Sequence, residues 1–198
     1  MKVIVIDPRK TEVANRATLH LQINPAEDPT LLAAFINFIF KEELYDQAFC
    51  SHYLQDIEQL RQLVAPFTPE YAAARCDIAV DDVINAARTF ATAKKGVAVT
   101  GTGPNMAPRA ILTEHLVLCL NYICGRVNKM GERVPNPGLL QPPRPRRAEV
   151  NGAQPAFHHG PKARVRDLGQ IIGEMPTATL NDEILMEGEG QIKALICL

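Results

Sequence analysis

Two short stretches carry groups suited to an anionic ligand. Gly101-Thr102-Gly103-Pro104-Asn105 is glycine-rich and follows an apolar run. The amide N–H groups of such a turn can face phosphate oxygens. Asp7-Pro8-Arg9-Lys10-Thr11 is a charged, rigid elbow placed directly after Val3-Ile4-Val5-Ile6. Neither stretch is a complete fingerprint, because the chain has no GxGxxG and no GxxxxGK followed by Ser or Thr. It has no GxSxG either, and no Cys/His pairing can be argued. His158-His159 lies in a Pro/Gly-rich stretch without acidic or Cys neighbours at ligand spacing. The expectation is therefore no catalytic residue and no metal ligand: a binding domain without chemistry of its own.

The elements that must position these stretches follow from periodicity. Val3–Ile6 is a continuous β-branched run of the kind buried in a parallel sheet. Gly96–Thr100 and Ala194–Leu198 repeat that pattern, and Leu19–Ile23 alternates as a short extended segment. Asp28 is placed as N-cap of a helix with Pro29 at its first position. Leu31, Leu32, Phe35, Ile36 and Ile39 give that helix an apolar face. Further helices are expected over 55–64, 69–74 (Thr68 cap), 80–93, from about 108 until Gly125 ends it, and 179–187. Apolar strands alternating with helices predict an α/β fold: an open, mostly parallel, Rossmann-like sheet flanked by helices. Ligands of such sheets bind outside the carboxyl ends of the strands. Those ends are the Asp7–Thr11 elbow and the Gly101–Asn105 turn.

Composition narrows the classes. The chain has 198 residues, 46% apolar, with a net charge of −1 and no Trp. That fits one domain with a real core, and no polyanionic or stacked nucleic-acid partner. No secretory signal is visible, and no apolar run approaches the roughly 20 residues of a membrane-spanning helix. Cys50, Cys76, Cys119, Cys124 and Cys197 are odd in number and irregularly spaced, which reads as buried reduced thiols. Regularity fails over 126–176, a long Pro/Gly-rich loop with 8 of the 15 prolines. Arg126–Arg166 carries nine Lys or Arg against Glu132 and Glu149. It reads either as a basic flap over an anionic ligand or as a surface that lies on a neighbouring domain. The chain starts and stops on apolar strands, so 1–198 is expected to be a single α/β domain, or domain fragment, of a larger protein.

The segment VIVIDPRKTEVANRATLHLQINPAEDPTLLAAFINFIF closely resembles the molybdopterin oxidoreductases of the dimethyl sulfoxide reductase type. The resemblance continues through FTPEYAA, AARTFATAKKGVAVTGTG, LNYICGRVNKMGE and GEMPTATLNDEILMEGEGQIKALICL. It implies the α/β domain that receives one guanine dinucleotide of a molybdopterin guanine dinucleotide cofactor, with molybdenum or tungsten in the full enzyme. Carried over by position, Asp7, Pro8, Arg9, Lys10 and Thr11 would lie against the nucleotide, and Asp28 would address the guanine edge. Thr102 and Met106 would approach the pterin and phosphate side, with Gly101, Gly103 and Asn105 as supports. An ionised carboxylate can accept from guanine N1–H and N2–H₂ together, and Arg9 could pair with a phosphate or stack on a ring.

Two stretches depart from the family pattern: Pro25-Ala26-Glu27-Asp28 stands for Pro-Gly-Thr-Asp, and Thr18 for the more usual Asp. The iron–sulfur cysteines, the metal-ligating residue and the C-terminal cofactor domain of the family are not in this sequence, so the fragment alone is expected to be inactive. The partners implied are the remaining domains of the enzyme and an electron-transfer subunit; substrate and compartment stay open. The rival reading is a noncatalytic nucleotide-binding or interaction module.

Overall fold

The computed structural model describes residues 1–134, 146–148, 157–171 and 174–196. It divides into two compact units, 1–129 and 130–198.

In the first unit, the Val3–Ile6 run forms β1 (Ile4–Ile6), followed by the one-turn helix α1 (Glu12–Asn15) and β2 (Leu19–Leu21). The strands pair in parallel, Ile4 with Leu19 and Ile6 with Leu21. Thr18, at the position where the family more usually has Asp, closes the start of the ladder: its Oγ1 accepts from Val3 N at 3.1 Å. α2 (Asp28–Lys41) is the centre of the unit, with every residue from Pro29 to Phe40 buried. Its neighbours are α4 (Ile57–Val64), α5 (Pro69–Cys76), α6 (Val80–Thr92) and α8 (Ala110–Ile123). α3 (Gln47–Tyr53) packs on α8, and α7 (Thr102–Met106) precedes it. A helix apolar all round must be enclosed. Leu31, Ile36, Ile39 and Phe40, at most 1% exposed, each contribute about 1.5–3 kcal/mol by burial. The one amide in this run, Asn37, donates to Ala65 O at 3.3 Å and Phe67 O at 2.8 Å.

Two of the caps that the sequence places, Thr68 and Gly125, are found. Thr68 accepts from Tyr71 N at 3.2 Å, with Pro69 in the first turn of α5. Gly125, at φ +62°, closes α8: Arg126 N reaches Asn121 O at 2.8 Å and Gly125 N reaches Tyr122 O at 2.9 Å. A Cβ at Gly125 would stand 2.7 Å from Asp46 Oδ2. Arg126 then spreads its guanidinium over the carbonyls of Phe90, Ala91, Ala93 and Lys94, where α6 leaves its last acceptors unpaired.

The expected open parallel sheet is where the structure differs. Among the described residues there are three two-stranded sheets, of which β1–β2 is the parallel one. Gly96–Thr100 is not a strand: Val97 and Val99 are 66% and 79% exposed. Its backbone is held at Ala98, whose N donates to Asn121 Oδ1 at 2.9 Å while its O accepts from Asn121 Nδ2 at 2.8 Å, and the Thr100 hydroxyl donates to Glu114 Oε1. A single side-chain amide stands where a neighbouring strand would pair. Ala194–Ile196 is likewise without regular structure, and the rest of that expected strand lies outside the described residues. The fold is mixed α/β, dominated by helices, because a β-branched run becomes a strand only where another backbone is brought beside it.

In the second unit β3 (Arg133–Val134) pairs antiparallel with β4 (Arg146–Arg147), and β5 (Phe157–Lys162) with β6 (Gly169–Ile171). These short ladders occupy part of the stretch expected to be irregular over 126–176. A 3₁₀ turn, Thr177–Thr179, leads into α9 (Leu180–Leu185). Buried Glu183 ties α9 to the chain before β6, accepting from Arg164 Nε and Val165 N, both at 3.2 Å. The side chains of His158 and His159 lie outside what is described.

Candidate nucleotide-binding site

The elbow begins where β1 ends. Asp7 N still donates to Leu21 O at 3.2 Å. The Asp7 carboxylate then folds back and its Oδ1 accepts from Arg9 N at 2.7 Å, the Asx turn that an Asp-Pro start favours. Thr11 caps α1, accepting from Ala14 N at 3.2 Å. Asp7 and Thr11 are thus engaged locally, while Pro8, Arg9 and Lys10 are exposed. Two polar side chains, His20 in β2 and Gln22 just after it, hold the elbow's carbonyls. His20 Nε2 lies 2.9 Å from Asp7 O as the donating tautomer, and Gln22 Nε2 donates to Pro8 O at 3.0 Å. Their i, i+2 spacing puts both on one face of the strand direction.

The second strand end runs into the turn Asn24–Asp28. Ala26 sits at φ +69°, a left-handed conformation that glycine takes without strain, at the position where the family pattern has Gly. Asn24 is bonded to the end of α5 twice: its N to Cys76 O at 3.1 Å and its Nδ2 to Arg75 O at 3.0 Å. α2 starts one residue earlier than the sequence suggests. Leu31 N donates to Glu27 O at 3.0 Å, so Glu27 is the N-cap, without a side-chain capping bond, and Asp28 stands in the first turn.

The two neighbouring carboxylates differ sharply. Glu27 accepts from Thr30 Oγ1 at 2.6 Å and forms an ion pair with Arg75. Burial opposes its ionisation, but these two bonds, with the charges of Arg75 and Arg109, hold its carboxyl below the usual range. Asp28 is half-buried, and among the described residues no other residue donates to its carboxylate. Burial pushes its carboxyl up; a bond from its own N–H opposes this, and the nearby charge of Asp7 adds to it. The elbow and the turn therefore share one electrostatic environment.

The GTGPN stretch forms α7, capped by Gly101 and packed on α8. Thr102, Asn105 and Met106 are exposed, and a Cβ on Gly101 or Gly103 would meet nothing within 4 Å. Among the described residues, no hydrogen bond or ion pair joins this stretch to the elbow or to Asp28. Its tie is Arg109, just after α7, whose charge reaches Glu27. Sequence reasoning missed His20, Gln22, Arg75 and Arg109. The polar alternation of His20 and Gln22 was a usable signal, whereas Arg75 and Arg109 are brought in by packing alone.

Elsewhere the structure brings together one Cys/His pair that the sequence reading did not: Cys119 Sγ lies 3.5 Å from His115 Nε2, one turn apart on α8. Among the described residues no three His, Cys, Asp or Glu gather closely enough to hold a metal ion. Burial pushes the Cys50 thiol up to about 11, and those of Cys76 and Cys124 to about 12, so all three stay protonated at neutral pH.

No family model matches the chain. The F420-dependent formate dehydrogenase subunit alpha of Methanocaldococcus jannaschii is 32% identical over 133 residues, 67% of this chain and 20% of that protein. The molybdopterin-containing subunit of thiosulfate reductase of Salmonella typhimurium is 29% identical over 131 residues, 66% of this chain and 17% of that protein. Among solved structures, acetylene hydratase from Pelobacter acetylenicus superposes with a TM-score of 0.62 at 25% identity, covering 68% of this chain and 20% of that one. The chain thus spans about a fifth of the length of these relatives. The chain's homologues are molybdopterin-containing oxidoreductases, and the dimethyl sulfoxide reductase-type family fits them, as it fits the DPRKT elbow and the turn that follows β2.

Proposed function

We propose that this chain is the segment of a molybdenum or tungsten oxidoreductase that holds the guanine nucleotide of a molybdopterin guanine dinucleotide. The observation that carries the reading is Asp28: a half-buried carboxylate, no donor from another described residue, at the carboxyl end of a parallel strand pair. Guanine offers two adjacent donors that such a carboxylate can accept together. Arg9 and Lys10, exposed and without an ion pair among the described residues, suit the phosphates. Pro8 and Thr11 shape the elbow that presents them. Gly101 and Gly103 leave open space where a ligand's approach would need it, beside Thr102, Asn105 and Met106.

When bound, the metal and its pterin supply the electron transfer. The residues of this chain bind the nucleotide end and orient it. In this reading the remaining domains carry the metal ligand and an iron–sulfur cluster, and an electron-transfer subunit completes the enzyme.

The test is Asp28→Asn in the full-length enzyme. Asn sets a donor against a donor and loses the charge, a penalty of about 2–4 kcal/mol, or roughly 30- to 1,000-fold in affinity. GMP released by acid hydrolysis and metal per protein should fall, while the melting temperature stays at or slightly above wild type. Unchanged nucleotide and metal content would remove Asp28 as the guanine acceptor.

A further inference from the structure

Two adjacent carboxylates stand at the proposed base-binding turn, and a ligand donor could be captured by either. Glu27 occupies the place where the family pattern has Thr, so this chain carries a competing acceptor, and a negative charge, beside the nucleotide. The structure commits that acceptor elsewhere: Oε2 takes the Thr30 hydroxyl at 2.6 Å and Oε1 takes Arg75. The Glu27 side chain is 13% exposed, against 50% for Arg75.

Arg75 lies in the last turn of α5, and its own carbonyl accepts from Asn24 Nδ2 at 3.0 Å. Cys76 O takes Asn24 N at 3.1 Å. The turn is therefore strapped to α5 at both ends, by Asn24 at its start and Glu27 at its finish. Between them Ala26 is held at φ +69°, a conformation it would otherwise leave.

We propose that Arg75 is a positioning residue for the nucleotide: it neutralises and sequesters Glu27, so that Asp28 is the turn's one available carboxylate. The inference rests on the guanine reading of Asp28. A half-exposed ion pair stabilises a fold very little, which separates positioning from folding in a test.

In the full-length enzyme, Arg75→Met should lower releasable GMP per protein by about 10-fold, as losing the partner that orients a binding group does, with a near-normal melt. Adding Glu27→Gln to Arg75→Met should restore most of the nucleotide, because the charge and competing acceptor that Arg75 controls are then gone. If Arg75→Met does not fold, Arg75→Gln is read instead: it keeps a donor to Glu27 without the charge, so a smaller loss of nucleotide is expected, again restored by Glu27→Gln. A double variant no better than Arg75→Met would overturn the proposal, showing that Arg75 acts by packing or by touching the ligand. Wild-type nucleotide content in Arg75→Met, with loss in Asp28→Asn, would overturn it while sparing the guanine reading. Wild-type content in both variants would remove that reading and this inference with it.

Discussion

Val3–Asn15 and Gly96–Met106 share one local grammar: a β-branched run, a turn, then a short helix. The first run has a partner, because α1 returns the chain so that Leu19–Leu21 lies in register beside it. Leu21 is 1% exposed, and the elbow that follows β1 is pinned by His20 and Gln22. Among the described residues the second run has no neighbouring strand, only side-chain bonds between Asn121 and Ala98 and from Thr100 to Glu114, and its valines face solvent. Strand propensity is a preference for a half-buried pleated surface, and without a neighbouring strand it is not expressed. The difference between a paired strand and an unpaired run here is a neighbouring backbone, not a better local sequence.

The sharpest way to break the contrast is to remove the partner. Leu21→Ala should cost about 2–5 kcal/mol in urea unfolding, whereas Val99→Ala should stay within about 0.5 kcal/mol. Equal costs would mean that both runs are equally built. Asp28→Asn comes next, with its loss of about 2–4 kcal/mol in nucleotide retention. Asn121→Ala should cost about 1–3 kcal/mol and speed amide exchange at Ala98, because both backbone groups of Ala98 lose their partner. No change in exchange at Ala98 would show that the amide does not hold this segment.

Smaller effects probe the turn. Ala26→Gly should stabilise by about 0.5–1 kcal/mol, since the left-handed conformation no longer carries a Cβ. A loss of stability there would contradict the assigned backbone. The two carboxylates should also respond to pH in opposite senses. Glu27 has a folded pKa below its ordinary 4.5, so its contribution is present above that value and is lost as pH falls through the folded pKa. Glu27→Gln should then lower the melting temperature at pH 7 and converge with wild type in acid. Asp28 has a folded pKa above its ordinary 3.8, so its charge costs stability at pH 7. That cost disappears as pH falls through the folded pKa. Parallel pH curves for the two variants would mean that Asp28 is not held in the half-buried, unpaired state described.

Much of the helical framework was readable in advance. Thr68-Pro69, Gly125 and the Leu/Phe run of α2 are local signals, and each acts within a few residues of itself. The elbow was readable for the same reason, since an Asp before Pro makes its own turn. The pairing of Asn121 with Ala98, 23 residues apart, and of Arg75 with Glu27, 48 apart, was not. Nothing in the residues near Arg75 names its partner.

The amino-acid sequence by itself therefore determined most of the longer helices, the Thr68 and Gly125 caps, the two turns at the candidate site and the likeness to the molybdopterin oxidoreductases. These depend on backbone preferences and side-chain bonds that close over one turn of chain. Tertiary structure alone decided that one β-branched run became a strand while another stayed exposed. It also decided that Glu27 is neutralised while Asp28 is left without a donor from another described residue. Both outcomes depend on which distant segment packing brings within hydrogen-bond reach, and a hydrogen bond has no strength beyond about 3.5 Å however strongly the local residues favour it.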